Sequence, residues 1–188
     1  MSIFFGPNPL IPDPEVYQFI PDGNENGTWV TNKTSDDSGF ARLIRPAEQM
    51  SAVVRDSAFF FGGLENLRSS PRNSNWGRSA TSVPGIVSYN STSGQWTNDT
   101  APIPWSNGGA IAFGISTGVP SFGPRGLLIM SGIEYTGKDE PPAMNNITIY
   151  EPTTKTWKWQ LTNGIGVPPG SWKACAVGAE GDNGTYEM

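Results

Sequence analysis

The chain has 188 residues, enough for one well-buried domain, and carries twelve basic and seventeen acidic residues that do not cluster by sign. A net charge of −5 without a basic stripe argues against nucleic-acid binding, and the lack of any histidine removes the commonest general base, the commonest metal ligand and every Ser-His or Cys-His nucleophile pair. No apolar run reaches the roughly eighteen residues of a membrane span, and the start, Met1-Ser2-Ile3-Phe4-Phe5-Gly6-Pro7, lacks the regions of a signal peptide.

In chain order, residues from Tyr17 to 32 read as the tail of a first unit, with Asp22-Gly23-Asn24-Glu25-Asn26-Gly27 inserted between Tyr17 and Trp29. Four short strands follow near 50–55, 57–62, 85–89 and 95–97, because runs of β-branched and aromatic residues are separated there by Gly, Pro, Asn and Ser clusters. A second set of four is predicted near 110–115, 126–131, 146–150 and 156–160. Finally, Lys173-Ala174-Cys175-Ala176-Val177 alternates like a strand with its small residues packed inward, which opens a further unit ending at Tyr186-Glu187-Met188.

The two complete sets repeat one another. Ile86-Val87-Ser88-Tyr89, a turn and Trp96 return as Ile147-Thr148-Ile149-Tyr150, a turn and Trp157. Upstream, Ala58-Phe59-Phe60-Phe61-Gly62-Gly63 returns as Leu127-Leu128-Ile129-Met130-Ser131-Gly132. The second strand of each set is apolar without alternation, as a strand covered on both faces must be. The short Asn-, Ser-, Thr- and Gly-rich stretch between Tyr and Trp brings the Trp strand back antiparallel beside the Tyr strand. One such meander cannot bury both faces alone, whereas several packed radially can. The Tyr and Trp pairs are expected to serve as packing residues between sheets rather than as ligand contacts.

The run with Gly62-Gly63, followed by Tyr89 and Trp96, resembles the kelch motif, whose period is about fifty residues. Ser121-Phe122-Gly123-Pro124-Arg125-Gly126-Leu127, and the stretch from Ala176 to Tyr186, look like segments of the large cell-surface kelch-repeat proteins of filamentous fungi. The departures are Ser131-Gly132 in place of a diglycine and the wide spacing of Tyr17 and Trp29. The resemblance implies an all-β fold, an arc of four-stranded antiparallel kelch blades. The units would be a partial blade over about 15–32, blades over about 50–97 and 110–160, and the start of another over about 173–188. Gly62, Gly63, Tyr89, Trp96, Gly132, Tyr150 and Trp157 take the structural positions of the motif. Propellers close with about four to eight blades, so an incomplete propeller is expected. A membrane segment would lie outside these residues.

Six Asn-x-Thr acceptors for N-linked glycans occur, at Asn26, Asn32, Asn90, Asn98, Asn146 and Asn183. With fourteen asparagines and fifteen threonines, chance would give about one, so the excess points to a lumenal or extracellular, glycosylated protein. Asn146, at a strand start, is the poorest acceptor of the six. Cys175 stands alone, so no internal disulfide is available, and it reads as a buried inert thiol.

Little chemistry is legible. Some kelch-like propellers are copper radical oxidases that hold the metal partly by imidazole, which this sequence cannot do. The carboxylates Asp36-Asp37, Asp139-Glu140 and Glu180-Asp182 sit among loop residues where solvation is the default. What remains is a surface of long loops at 64–84, 98–109, 133–145 and 161–172, where binding usually resides. The first carries Arg68, Arg72, Trp76 and Arg78, a candidate partner-binding group because Trp and Arg are enriched at interface hot spots; alternatively, Trp76 pins its loop to the sheet beneath. The expectation is a non-catalytic scaffold at the cell surface, without cofactor or metal, that binds protein or glycan partners. The alternatives are an intracellular kelch adaptor, and a piece of an oxidase-like propeller whose catalytic blades lie elsewhere.

Overall fold

The computed structural model describes residues 15–33, 43, 46–65, 81–99, 111–133, 144–171 and 174–188, and every strand pairing among them is antiparallel. The first pairing is a hairpin of β1 (Glu15–Pro21) and β2 (Gly27–Lys33). Asp22 closes its turn, with Oδ1 accepting the backbone N–H groups of Asn24 at 2.8 Å and Asn26 at 3.3 Å. The register sets Phe19, not Tyr17, opposite Trp29, with the two ring centroids 5.2 Å apart. Phe19 and Trp29 are therefore the aromatic pair of the first unit, and the wide Tyr17 to Trp29 spacing is not a distorted copy of the later ones.

Two four-stranded meanders follow. β3 (Met50–Val54), β4 (Ser57–Phe61), β7 (Ile86–Asn90) and β8 (Trp96–Asp99) form the first sheet in that order, while β5 (Leu64–Glu65) and β6 (Thr81–Ser82) make a small side pair. β9 (Ile115–Val119), β10 (Leu127–Ser131), β11 (Asn146–Glu151) and β12 (Thr156–Leu161) form the second sheet in the same order. Equivalent residues take equivalent places, since Tyr89 pairs with Ala58 and Trp96 as Tyr150 pairs with Leu128 and Trp157.

The sheets pack on one another so that unlike faces meet. Leu128, Met130 and Tyr150, on the Tyr–Trp face of the second sheet, join Val54, Phe61 and Ile86, on the opposite face of the first, in one buried cluster. The Tyr–Trp face of the first sheet forms a separate cluster of Ala58, Phe60, Tyr89 and Trp96, with Leu43 against it. β4 therefore supplies Phe60 to one cluster and Phe61 to the other, which is why its sequence does not alternate. Each of these large side chains contributes about 1.5–3 kcal/mol on full burial.

The closest approach of the sheets is between β3 and β9, and small residues permit it. A Cβ at Gly118 would lie 2.3 Å from the Val53 carbonyl oxygen, and the Ser116 hydroxyl donates to the Ser51 carbonyl across the gap at 2.8 Å. Gly62 and Gly63 take φ of +57° and +95°, and a Cβ at Gly62 would lie 2.2 Å from the Ile111 carbonyl oxygen. The diglycine is thus a left-handed turn pressed against the backbone that leads into the second sheet.

Two predicted strands are corrected. The apolar stretch expected as a strand over 110–115 gives its strand only from Ile115 onward. Ile111 and Ala112 are buried in a crossover in which the Ile111 carbonyl accepts the Gly63 N–H at 2.7 Å, and Phe113 takes φ of +63°. Their apolar character serves the junction between the sheets. The alternation expected to bury Cys175 likewise forms no strand over 174–178, and Cys175 is exposed. There the chain pairs only later, as β13 (Ala179–Glu180) with β14 (Tyr186–Glu187) around a 3-10 turn at Asp182–Gly184. Tyr186 anchors this hairpin by donating its hydroxyl to the Gly118 carbonyl. No helix among the described residues is long and apolar enough to cross a membrane.

Candidate functional site

Arg68, Arg72, Trp76 and Arg78 lie outside the described residues, as do the Asp36-Asp37 and Asp139-Glu140 pairs. Glu180 and Asp182 are exposed in the C-terminal hairpin, and no cluster of metal-ligating side chains occurs among the described residues.

The glycan acceptors fall in different settings. Asn26, Asn98, Asn146 and Asn183 are exposed, so the strand-start position of Asn146 does not bury it. Asn32 lies in β2. Asn90 is half-buried and fully engaged. Its amide nitrogen donates to Asp56 Oδ2 at 2.9 Å, and its Oδ1 accepts the N–H groups of Thr92 and Ser93 at 3.0 and 2.8 Å. Ser91 donates both its N–H, at 2.8 Å, and its hydroxyl, at 2.9 Å, to the Asp56 carbonyl. The β3–β4 and β7–β8 turns are thus tied into one polar knot. The Asn90 amide foremost, with help from Ser57 and Thr92, holds the Asp56 carboxyl below its ordinary value of 3.8.

Above this knot the two sheets enclose a cleft of about 320 Å³. One wall is the inner face of the first sheet, where Phe59, Ser88 and Thr97 lie side by side across β4, β7 and β8, and Ser88 and Thr97 share a hydrogen bond of 2.5 Å. The other wall carries Tyr150, whose ring packs between Trp157 at 4.6 Å and Phe61 at 6.2 Å, centroid to centroid. Burial, then the charges of Asp99 and Glu151, push the Tyr150 hydroxyl up to about 12, so it remains a neutral donor at any physiological pH. Lys155 bridges the outer rim by pairing with Asp99 at 2.7 Å. Exposed pairs of this kind contribute at most about 1 kcal/mol.

Arg125 completes the cleft, and the loop that carries it is pinned. Two residues join β3 to β4, whereas residues 120–126 join β9 to β10. Arg55, in the equivalent turn of the first sheet, donates to the Pro124 carbonyl at 2.7 Å and the Pro120 carbonyl at 3.3 Å. On the other side, a Cβ at Gly123 would stand 2.7 Å from Glu151 Oε2, so the loop sits close against β11 with φ of +71° at that glycine. Arg125 itself makes no hydrogen bond or ion pair among the described residues.

Of the predicted residues, the structure brings Tyr150 and Trp157 to the cleft wall or directly behind it and places Asn90 at its edge. Sequence reasoning did not single out Arg55, Asp56, Arg125 or the Tyr150 hydroxyl. The legible signal was the longer β9–β10 connection, seven residues where the first repeat has two. No protein-family model matches the chain, and no curated protein does.

Proposed function

We propose that the two four-stranded sheets are consecutive blades of a kelch-type β-propeller arc, and that the chain is a non-catalytic binding scaffold at the cell surface. The observation that carries the reading is the repeat of one Tyr–Trp pair in one register, Tyr89 with Trp96 and Tyr150 with Trp157, in meanders of identical strand order. Face-on-back stacking supports it, because a rule that sets one sheet on the next in this way can be repeated around an axis. The diglycine geometry at Gly62 and Gly63 supports it further, since the motif needs a tight left-handed turn there.

The six acceptor sequons support a secretory-pathway location for the scaffold. Protein or glycan partners would meet it through the long connections between strands, with Trp76 and its neighbouring arginines as the anchor. The compartment is tested by the intact mass of the protein from its own source, before and after enzymatic removal of N-linked glycans. A mass that falls on treatment is expected. A species at the bare 20.2 kDa, unchanged by treatment, overturns the cell-surface reading in favour of an intracellular adaptor. Trp76→Ala is expected to abolish partner capture while leaving the far-ultraviolet circular dichroism intact, and unchanged capture would remove Trp76 from the binding face.

A further inference from the structure

Two side chains on the cleft between the sheets, Tyr150 and Arg125, carry donors that a ligand could use. Tyr150, 3 % exposed, lines one wall of the cleft with a hydroxyl that can donate and accept. Arg125 presents a guanidinium with five donors, without a partner among the described residues, on a loop that Arg55 and the close approach of Gly123 to Glu151 hold in place. The Tyr150 ring, packed against Trp157 and Phe61, is fixed beforehand and would lose little freedom on binding, as would the pinned backbone that carries the exposed Arg125 side chain.

We propose that this cleft binds a sugar acid, a single pyranose ring carrying one carboxylate, with Arg125 taking the carboxylate and Tyr150, Ser88 and Thr97 taking ring hydroxyls.

Size selects one ring, because about 320 Å³ lies at the lower end of small-molecule sites. The lining selects a sugar over an apolar ligand. Ser88, Thr97, Asn90 and Gln95 offer hydroxyl and amide groups on the same surface as the aromatic side chain of Phe59, with Tyr150 on the other wall, a mixture that suits the polar edges and apolar faces of a pyranose. Charge selects a monoanion. Lys155 is occupied by Asp99, so Arg125 is the free cation at the cleft among the described residues, and Asp56, Asp99 and Glu151 around it would repel a dianionic phosphate. A planar guanidinium facing a planar carboxylate satisfies both fork-to-fork. The inference does not depend on ring closure or on the long loops.

The test is a titration of the ¹⁵N-labelled chain with sodium galacturonate and sodium glucuronate, with galactose, glucose, acetate and inorganic phosphate as comparators. Saturable shifts at Ser88, Thr97 and Arg125 are expected for at least one uronate in the millimolar range, with every comparator at least about tenfold weaker. Arg125→Ala should weaken uronate binding by at least about tenfold, and Tyr150→Phe, which keeps the packed ring, should weaken it several-fold without altering the sheet signals. No saturable uronate binding overturns the proposal. So does binding that acetate or phosphate matches, or binding that Arg125→Ala leaves intact.

Discussion

Asp56 shows how one exposed side chain orders two turns. It accepts hydrogen bonds from the Asn90 amide and the Ser57 hydroxyl, while its carbonyl receives both donors of Ser91. Because the folded carboxyl titrates below its ordinary value of 3.8, the stabilisation is fully present above that value and is lost as the pH falls through the lower folded one. Asp56→Asn, which lacks that stabilisation at every pH, should therefore lower stability at pH 7 more than at pH 3 and so flatten the acid limb of the profile, as denaturant midpoints at the two pH values would report. An acid limb as steep as the parent's would show that the knot is not linked to protonation. None of this was legible in the sequence, where Asp56 is one turn acid among several. Nothing local indicates that the chain brings Asn90 back against it.

The strands themselves were legible wherever turn chemistry bounded them. Arg55-Asp56 between β3 and β4, Ser91 to Gln95 between β7 and β8, and Pro152 to Lys155 between β11 and β12 each mark a reversal, and the strands beside them fall where the residues predict. The reading failed where apolar residues serve another end. Ile111 and Ala112 look like strand residues because they are buried, yet they are buried by the crossover that Gly63 receives. The alternation at Ala174 to Val177 pairs with no strand among the described residues, and Val177 is 84 % exposed. Alternation specifies a strand only when a partner edge is present. The close packing of β3 on β9 carries its own prediction. Gly118→Val would drive its side chain into the Val53 carbonyl and the Val54 side chain, and should destabilise by at least about 1–3 kcal/mol. Equilibrium denaturation measures this, and a loss under about 0.5 kcal/mol would mean that the sheets yield at their closest point.

At the scale of the molecule, repetition sets how the sheets meet. The Tyr–Trp face of one sheet fits the back of its neighbour because Phe61 offers its ring to both Tyr150 and Trp157, edge-on, with each centroid distance 6.2 Å. That the pairs recur could be read directly from Tyr89, Trp96, Tyr150 and Trp157. Which neighbour each pair packs against could not, because the contact runs between residues some ninety positions apart and no local pattern encodes it. The cleft follows from the same geometry: sheets that touch at β3 and β9 leave space farther out, and a longer loop in the second repeat fills part of it with Arg125. The most direct measurement is a nuclear Overhauser experiment on the side chains of the intact chain. Cross-peaks from the Phe61 ring to the Tyr150 and Trp157 rings, together with the strand pairings of both sheets, are the result that face-on-back stacking requires. Intact strand pairings without those cross-peaks would mean that the two sheets form separately and do not stack in this way, and the propeller reading would go with them.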